Sequence, residues 1–230
     1  MRVHVAFTPA EAAAAPTGIV VDVLRATSTI AQALSSGHER VLCCAEIEEA
    51  EALRAREGGG VLAGERKCVR IPGFDRGNSP SEFAQGDGET VILTTTNGTR
   101  ALVAATLACE RVFGASLLNL GAVVAAAREA GHDVAVFCAG VKGEFAMDDA
   151  YVAGRIVELL AGDGTDAAVA AVRLTGSFAS AQEGLRASQS ARTRRCPPRG
   201  RRSRGCARES VLDVVPRVTG SHGPAVELRA

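Results

Sequence analysis

The feature that most constrains this chain is a recurring alternation of short apolar runs with Ala- and Leu-rich stretches of helical period. The runs fall at residues 3–7, 18–22, 40–44, 61–63, 90–94, 111–114, 133–138 and 168–173 and read as strands. The helical stretches fall at 28–34, 47–56, 99–107, 118–129, 148–160 and 179–190. Strands rich in Val, Ile and Leu on both faces need cover on both sides. Helices between strands imply crossover connections and mostly parallel neighbours. The expected fold is α/β, a three-layer α/β/α sandwich with a mostly parallel or mixed sheet, formed by residues 1–230 as a single domain.

Charge and composition narrow the function classes. A formal net charge of zero gives no global attraction to nucleic acid or to an anionic membrane. Aromatic residues at 3%, with no Trp, leave no base-stacking surface. No apolar stretch approaches the roughly 18 residues of a membrane span, and no signal peptide precedes the first run. The seven cysteines form no C-x-x-C pair, and most lie in apolar runs as buried free thiols. The expectation is a cytoplasmic, reduced protein without a zinc site.

One stretch departs from the pattern. Residues 191–205 hold seven arginines and no acid, which leaves the remainder of the chain acidic. Three readings fit: a basic loop for a polyanion, a solvated and disordered loop, or the product of two compensating frameshifts.

Four clusters carry chemistry. In V-V-D-V-L-R-A-T-S-T at 20–29, a buried strand ends at Asp22 and a hydroxyl-rich turn opens a helix beside Arg25, Thr27 and Ser28. Free N–H groups there make an anion site, while helix capping and turn chemistry are the plain alternative. The segments G-E-R at 64–66 and I-P-G-F-D-R-G-N-S-P-S-E at 71–82 describe a rigid loop, with Glu65 and Asp75 as hard oxygen donors for Mg2+ or as turn residues only. In T-T-T-N-G-T-R at 94–100, Thr95, Thr96, Asn97, Gly98 and Arg100 gather small donors where an oxyanion would sit. In C-A-G-V-K-G-E-F-A-M-D-D-A at 138–150, Gly140 lies in the loop and Asp148 and Asp149 open a helix. Cys138 lacks a Cys-x5-Arg phosphate cradle and reads as a packing residue.

Each cluster begins where an apolar strand ends. In a parallel sheet such ends share one edge, so the four loops are expected around one crevice. Acids for a hard cation, together with Arg and hydroxyl groups for an anion, are what phosphoryl transfer needs. None of the four histidines falls inside a cluster, which disfavours a His-based triad.

Taken together and in order, these motifs resemble the 2-phosphosulfolactate phosphatase family. D-V-V-P at 213–216 is similar to that family too, whereas 191–205 departs from its pattern. The resemblance implies a Mg2+-dependent hydrolase of 2-hydroxycarboxylic acid phosphates, a family that in methanogens serves coenzyme M biosynthesis. On this reading Asp22, Arg25 and Arg100 are catalytic, and Asp22, Glu65, Asp75 and Asp149 are metal ligands. Thr27, Ser28, Arg66, Asn78, Ser79, Thr95, Thr96, Asn97, Gly98 and Gly140 bind the substrate. The partner is a small phosphorylated acid, not nucleic acid or membrane, with homo-oligomerisation open. The rival readings are a phosphosugar or nucleotide-binding module without turnover and a nucleic-acid binder driven by the Arg-rich loop.

Overall fold

The computed structural model describes residues 1–192 and 201–230. The sequence readings of 193–200, the centre of the Arg-rich stretch, lie outside the described residues. The strands are β1 (Arg2–Ala6), β2 (Thr17–Val21), β3 (Arg40–Cys44), β4 (Val61–Arg66), β5 (Val69–Arg70), β6 (Thr90–Thr94), β7 (Arg111–Ala115), β8 (Val134–Cys138), β9 (Asp163–Gly164), β10 (Arg217–His222) and β11 (Ala225–Arg229). The helices are α1 (Ala26–Ser35), α2 (Ile47–Arg56), α3 (Gly98–Ala105), α4 (Leu120–Ala130), α5 (Met147–Leu160), α6 (Asp166–Thr175), α7 (Ala181–Ala187), α8 (Gln189–Arg192) and α9 (Arg201–Cys206). None of them is long and apolar enough to cross a membrane.

The strands form one mixed sheet in the order β5-β4-β6-β3-β11-β10-β7-β2-β8-β1-β9. It contains two parallel blocks. One is β4, β6 and β3; the other is β7, β2, β8, β1 and β9. The hairpin β10–β11 stands between them and pairs antiparallel with β7 on one side and β3 on the other. Three successive antiparallel pairings make the two blocks run in opposite directions. The α/β sandwich is as expected, but the single shared edge is not. The loops after β2 and β8 belong to one block, and those after β4 and β6 to the other.

Two helices knit the blocks together on one face. α1, which follows β2, packs on β7 and also on β3; α3, which follows β6, packs on β2, β7 and β8 as well as β3. A single inner core results, with Val20, Ile30, Cys43, Leu93, Leu102, Val112 and Leu228 all in it. On the other face α2 covers one block around Leu42, Leu62 and Ile92, while α4 to α7 cover the other around Ile19, Val21, Val136 and Ile156. Alternate residues of a strand thus serve different cores, which is why β2 is buried without interruption.

The stretch at 168–173, read as a strand, lies inside helix α6. The physical reason is local: Thr165 caps the helix by accepting from the Ala168 N–H, and alanine favours helix over strand. Cys68 corrects another expectation. It is disulfide-bonded and sits half-buried in the β4–β5 turn, while Cys43, Cys44, Cys109, Cys138 and Cys206 are free thiols.

The central hairpin is fastened by charge. Glu227 on β11 accepts from Arg229 Nε at 2.6 Å, His222 Nε2 at 2.9 Å, Thr219 Oγ1 at 3.0 Å and Arg40 NH1 at 3.1 Å. Burial alone would push its carboxyl up, but the hydrogen bonds from Arg229, Arg40, His222 and Thr219 outweigh this and hold it at about 2. A depressed carboxyl contributes stability above its unfolded value of 4.5, and that contribution fades as pH falls toward 2. Glu227→Gln should therefore lower stability by about 2 kcal/mol at pH 7. The gap from the parent chain should close between pH 4.5 and pH 2 in denaturant melts. A gap that does not change with pH would contradict the network's ionic character.

Candidate active site

The first turn after β2 is locked by hydroxyls. Thr27 Oγ1 donates to the Asp22 carbonyl at 2.8 Å and accepts from the Asp22 N–H at 3.1 Å. Ser28 Oγ donates to the Val23 carbonyl at 2.8 Å. This fixes the Asp22 carboxylate against two helix starts at once: it accepts from the N–H of Ala26 in α1 and of Gly98 in α3. Both helix dipoles favour negative charge there. Gly98 has to be glycine, because a Cβ would lie 2.4 Å from Asp22 Oδ2 and 2.5 Å from Ala26 Cβ.

Helix α5 brings two more acids. Asp149 Oδ1 accepts from the Val23 N–H at 3.0 Å, and its Oδ2 accepts from the Gly140 N–H at 3.1 Å. Asp148 Oδ1 accepts from Ser190 Oγ at 3.2 Å. Asp22, Asp148 and Asp149 are 8%, 2% and 3% exposed, so three carboxylates share one nearly dry site. Burial first, and the Asp148 charge second, push the Asp22 carboxyl up to about 7 despite the Ala26 and Gly98 amides. Burial pushes Asp148 up to about 6, against amide and serine hydrogen bonds. Burial, then the charges of Asp148 and Asp22, raise Asp149 well above the usual carboxylate range. Full ionisation of such a cluster is disfavoured, since three bare negative charges repel one another at low dielectric.

The other block closes one wall. Glu65 Oε1 accepts from the Thr96 N–H at 2.9 Å and from Thr96 Oγ1 at 2.8 Å, while Oε2 accepts from the Cys68 N–H at 2.6 Å. The Glu65 charge also acts on Asp22. Asn97 Oδ1 accepts from the Lys142 N–H at 3.2 Å, which ties the β6 loop to the β8 loop. Asp22, Glu65, Thr96 and Asp149 thus meet, although their loops come from blocks that run in opposite directions. A fifth loop, after β1, joins them unforeseen: the Phe7 ring meets Phe145 edge-on at 5.7 Å, and the Glu11 charge acts on Cys138. No strand-end acid marks that loop in the sequence. Asp148 was visible there beside Asp149, but nothing distinguished its burial.

Several nominated residues have other work. Asp75 is exposed near the start of β4, where it accepts from the Leu62 N–H at 2.9 Å and pairs with Arg54 at 3.4 Å. It stands apart from the carboxylate cluster and leaves the ligand set. Arg66 spends its guanidinium on the Glu65 and Ala45 carbonyls and on Thr94 Oγ1. Arg100 is exposed and pairs with Glu46 at 2.6 Å. Thr95 braces Thr99 at the start of α3. Arg25 is buried beside the Cys206 thiol, which bonds the Ser28 hydroxyl. Asn78 is buried, with no partner for its Oδ1 among the described residues, and Ser79 meets Ser81 at 3.1 Å. Burial and the Asp149 charge raise the Cys138 thiol, so it is no thiolate nucleophile. An open pocket of about 480 Å3, lined in part by Arg76, Glu82 and Asp87, is bordered by none of the clustered acids.

A family model described as 2-phosphosulpholactate phosphatase matches residues 5–221. The chain belongs to the 2-phosphosulfolactate phosphatase family. That family is one of phosphoric monoester hydrolases, the class expected from the motifs. Among curated relatives, a "Probable 2-phosphosulfolactate phosphatase" of Thermotoga petrophila is 41% identical over 172 residues, covering 72% of this chain and 74% of the relative. One of Symbiobacterium thermophilum, with the same name, is 44% identical over 159 residues, 67% of each chain. The family match runs through the α1, α3 and α5 starts that hold the carboxylates, and on into the hairpin strand β10.

Proposed function

We propose that this chain hydrolyses phosphate monoesters of 2-hydroxycarboxylic acids, 2-phosphosulfolactate among them, with Mg2+ as its cation. The observation that carries this reading is the convergence of Asp22, Asp148 and Asp149, buried and mutually repelling, at the starts of three helices. Among the described residues no group of three or more His, Cys, Asp or Glu side chains is arranged to hold a metal ion by itself. That fits Mg2+, which takes one or two carboxylates and completes its shell with water and substrate phosphate. Asp22 and Asp149 would hold it, and when bound it would neutralise charge on the phosphoryl oxygens.

The chain's own groups do the rest. Gly98 and Ala26 amides orient the Asp22 carboxylate, which either ligates the cation or accepts the phosphoryl group. Val23 and Gly140 amides fix Asp149 with both oxygens engaged. Glu65 orders the β6 loop by holding both polar groups of Thr96. A rigid, preset arrangement of this kind is how phosphoryl transfer is accelerated by positioning and electrostatics. The full chain should release phosphate from 2-phospholactate and 2-phosphosulfolactate with added Mg2+, lose that activity in EDTA and regain it on Mg2+ addition. Binding of both esters without phosphate release would make it a binding module instead.

A further inference from the structure

The proposed substrate has two anionic ends, a phosphoryl group and a carboxylate or sulfonate, and a role for Lys142 at the second of them depends on that reading. The arginines that the sequence offered for the second anion include two that the fold has occupied: Arg66 with backbone carbonyls and Thr94, Arg100 with Glu46. Lys142 is differently placed. Its N–H donates to Asn97 Oδ1 at 3.2 Å, and Asn97 directly precedes Gly98, whose amide holds Asp22. Gly140, two residues before it, donates to Asp149. The Lys142 main chain is therefore pinned between the contacts that position two of the clustered acids.

Its side chain is exposed, and its ammonium has no ion pair or hydrogen bond among the described residues. Its φ is 56°, between Gly140 at 66° and Gly143 at 82° in the same loop. Glycine holds that left-handed conformation at no steric cost, so the turn itself does not require a lysine. A compact cation on a flexible stem, at the rim of an acidic site, offers an ester with two anionic ends its missing counter-charge. We infer that the Lys142 ammonium pairs with the substrate's second anion and sets the preference for acid-bearing phosphate esters.

The test compares 2-phospholactate with isopropyl phosphate, the same ester with a methyl group in place of the carboxylate. The parent chain should favour 2-phospholactate in kcat/KM. Lys142→Gly, which suits the positive φ, should cut that preference at least about tenfold, chiefly through KM. Lys142→Arg should restore most of it. Melting curves establish that each variant is folded. Equal losses on both esters, or a parent chain without preference, overturn the inference and leave the phosphatase reading standing. Turnover of neither ester with Mg2+ overturns that reading and the inference with it.

Discussion

Replacing Asp22 by Asn will reduce kcat about a thousandfold or more while the chain stays folded. The amide keeps the shape of the side chain and an acceptor oxygen for one of the two helix amides. It also removes one of three charges crowded in a nearly dry site. Stability should therefore change little, because the lost hydrogen bond is offset by relief of repulsion. What disappears is the negative charge: a neutral amide would hold the proposed Mg2+ more weakly than a carboxylate and cannot attack phosphorus as a nucleophile. Steady-state kinetics beside a thermal melt check both halves. Turnover within about tenfold of the parent chain would remove Asp22 from the chemistry.

Gly98→Ala will damage stability and turnover together. The added methyl must lie where Asp22 Oδ2 and Ala26 Cβ already are, at 2.4 Å and 2.5 Å. Neither neighbour can yield cheaply: Asp22 is held by helix amides, and Ala26 is the first residue of α1. Overpacking of this kind costs about 3 kcal/mol, a fall of roughly 6–12 °C in Tm for a chain of this size. The helix starts must separate, and a displacement of about 1 Å at Asp22 lowers the rate on the order of a hundredfold. A Gly98→Ala chain that melts with its parent would mean that α1 and α3 do not converge as described.

Much of the fold was legible because its strands are short, continuous and separated by helices of ordinary length. The 40–44 and 90–94 runs and the 47–56 helix have the bounds expected of them. What failed had physical causes. At 168–173 an Ala- and Val-rich run has no alternation of period two, so burial alone could not tell helix from strand. The hairpin of β10 and β11 went unread because R-V-T-G-S-H is polar and mostly exposed. Its place in the sheet comes from pairing with strands more than a hundred residues away along the chain on one side.

The site was legible in the same uneven way. Asp22, Glu65, Thr96 and Asp149 announced themselves as small, acidic or hydroxylic residues at strand ends. The fate of the arginines did not, since Arg66 and Arg100 are engaged by Ala45 and Glu46, partners that only the tertiary fold supplies. Asp75 misled because the I-P-G-F-D-R-G-N-S-P-S-E loop runs alongside β4, so one acid falls at the wrong end of the strand.

The central hairpin also has a consequence for synthesis. A ribosome makes β3 and β7 long before β10 and β11, the strands that stand between them. Until that late segment emerges, each nascent block carries a bare strand edge open to foreign partners. Chaperone demand in the cell should therefore persist until that hairpin has emerged and paired.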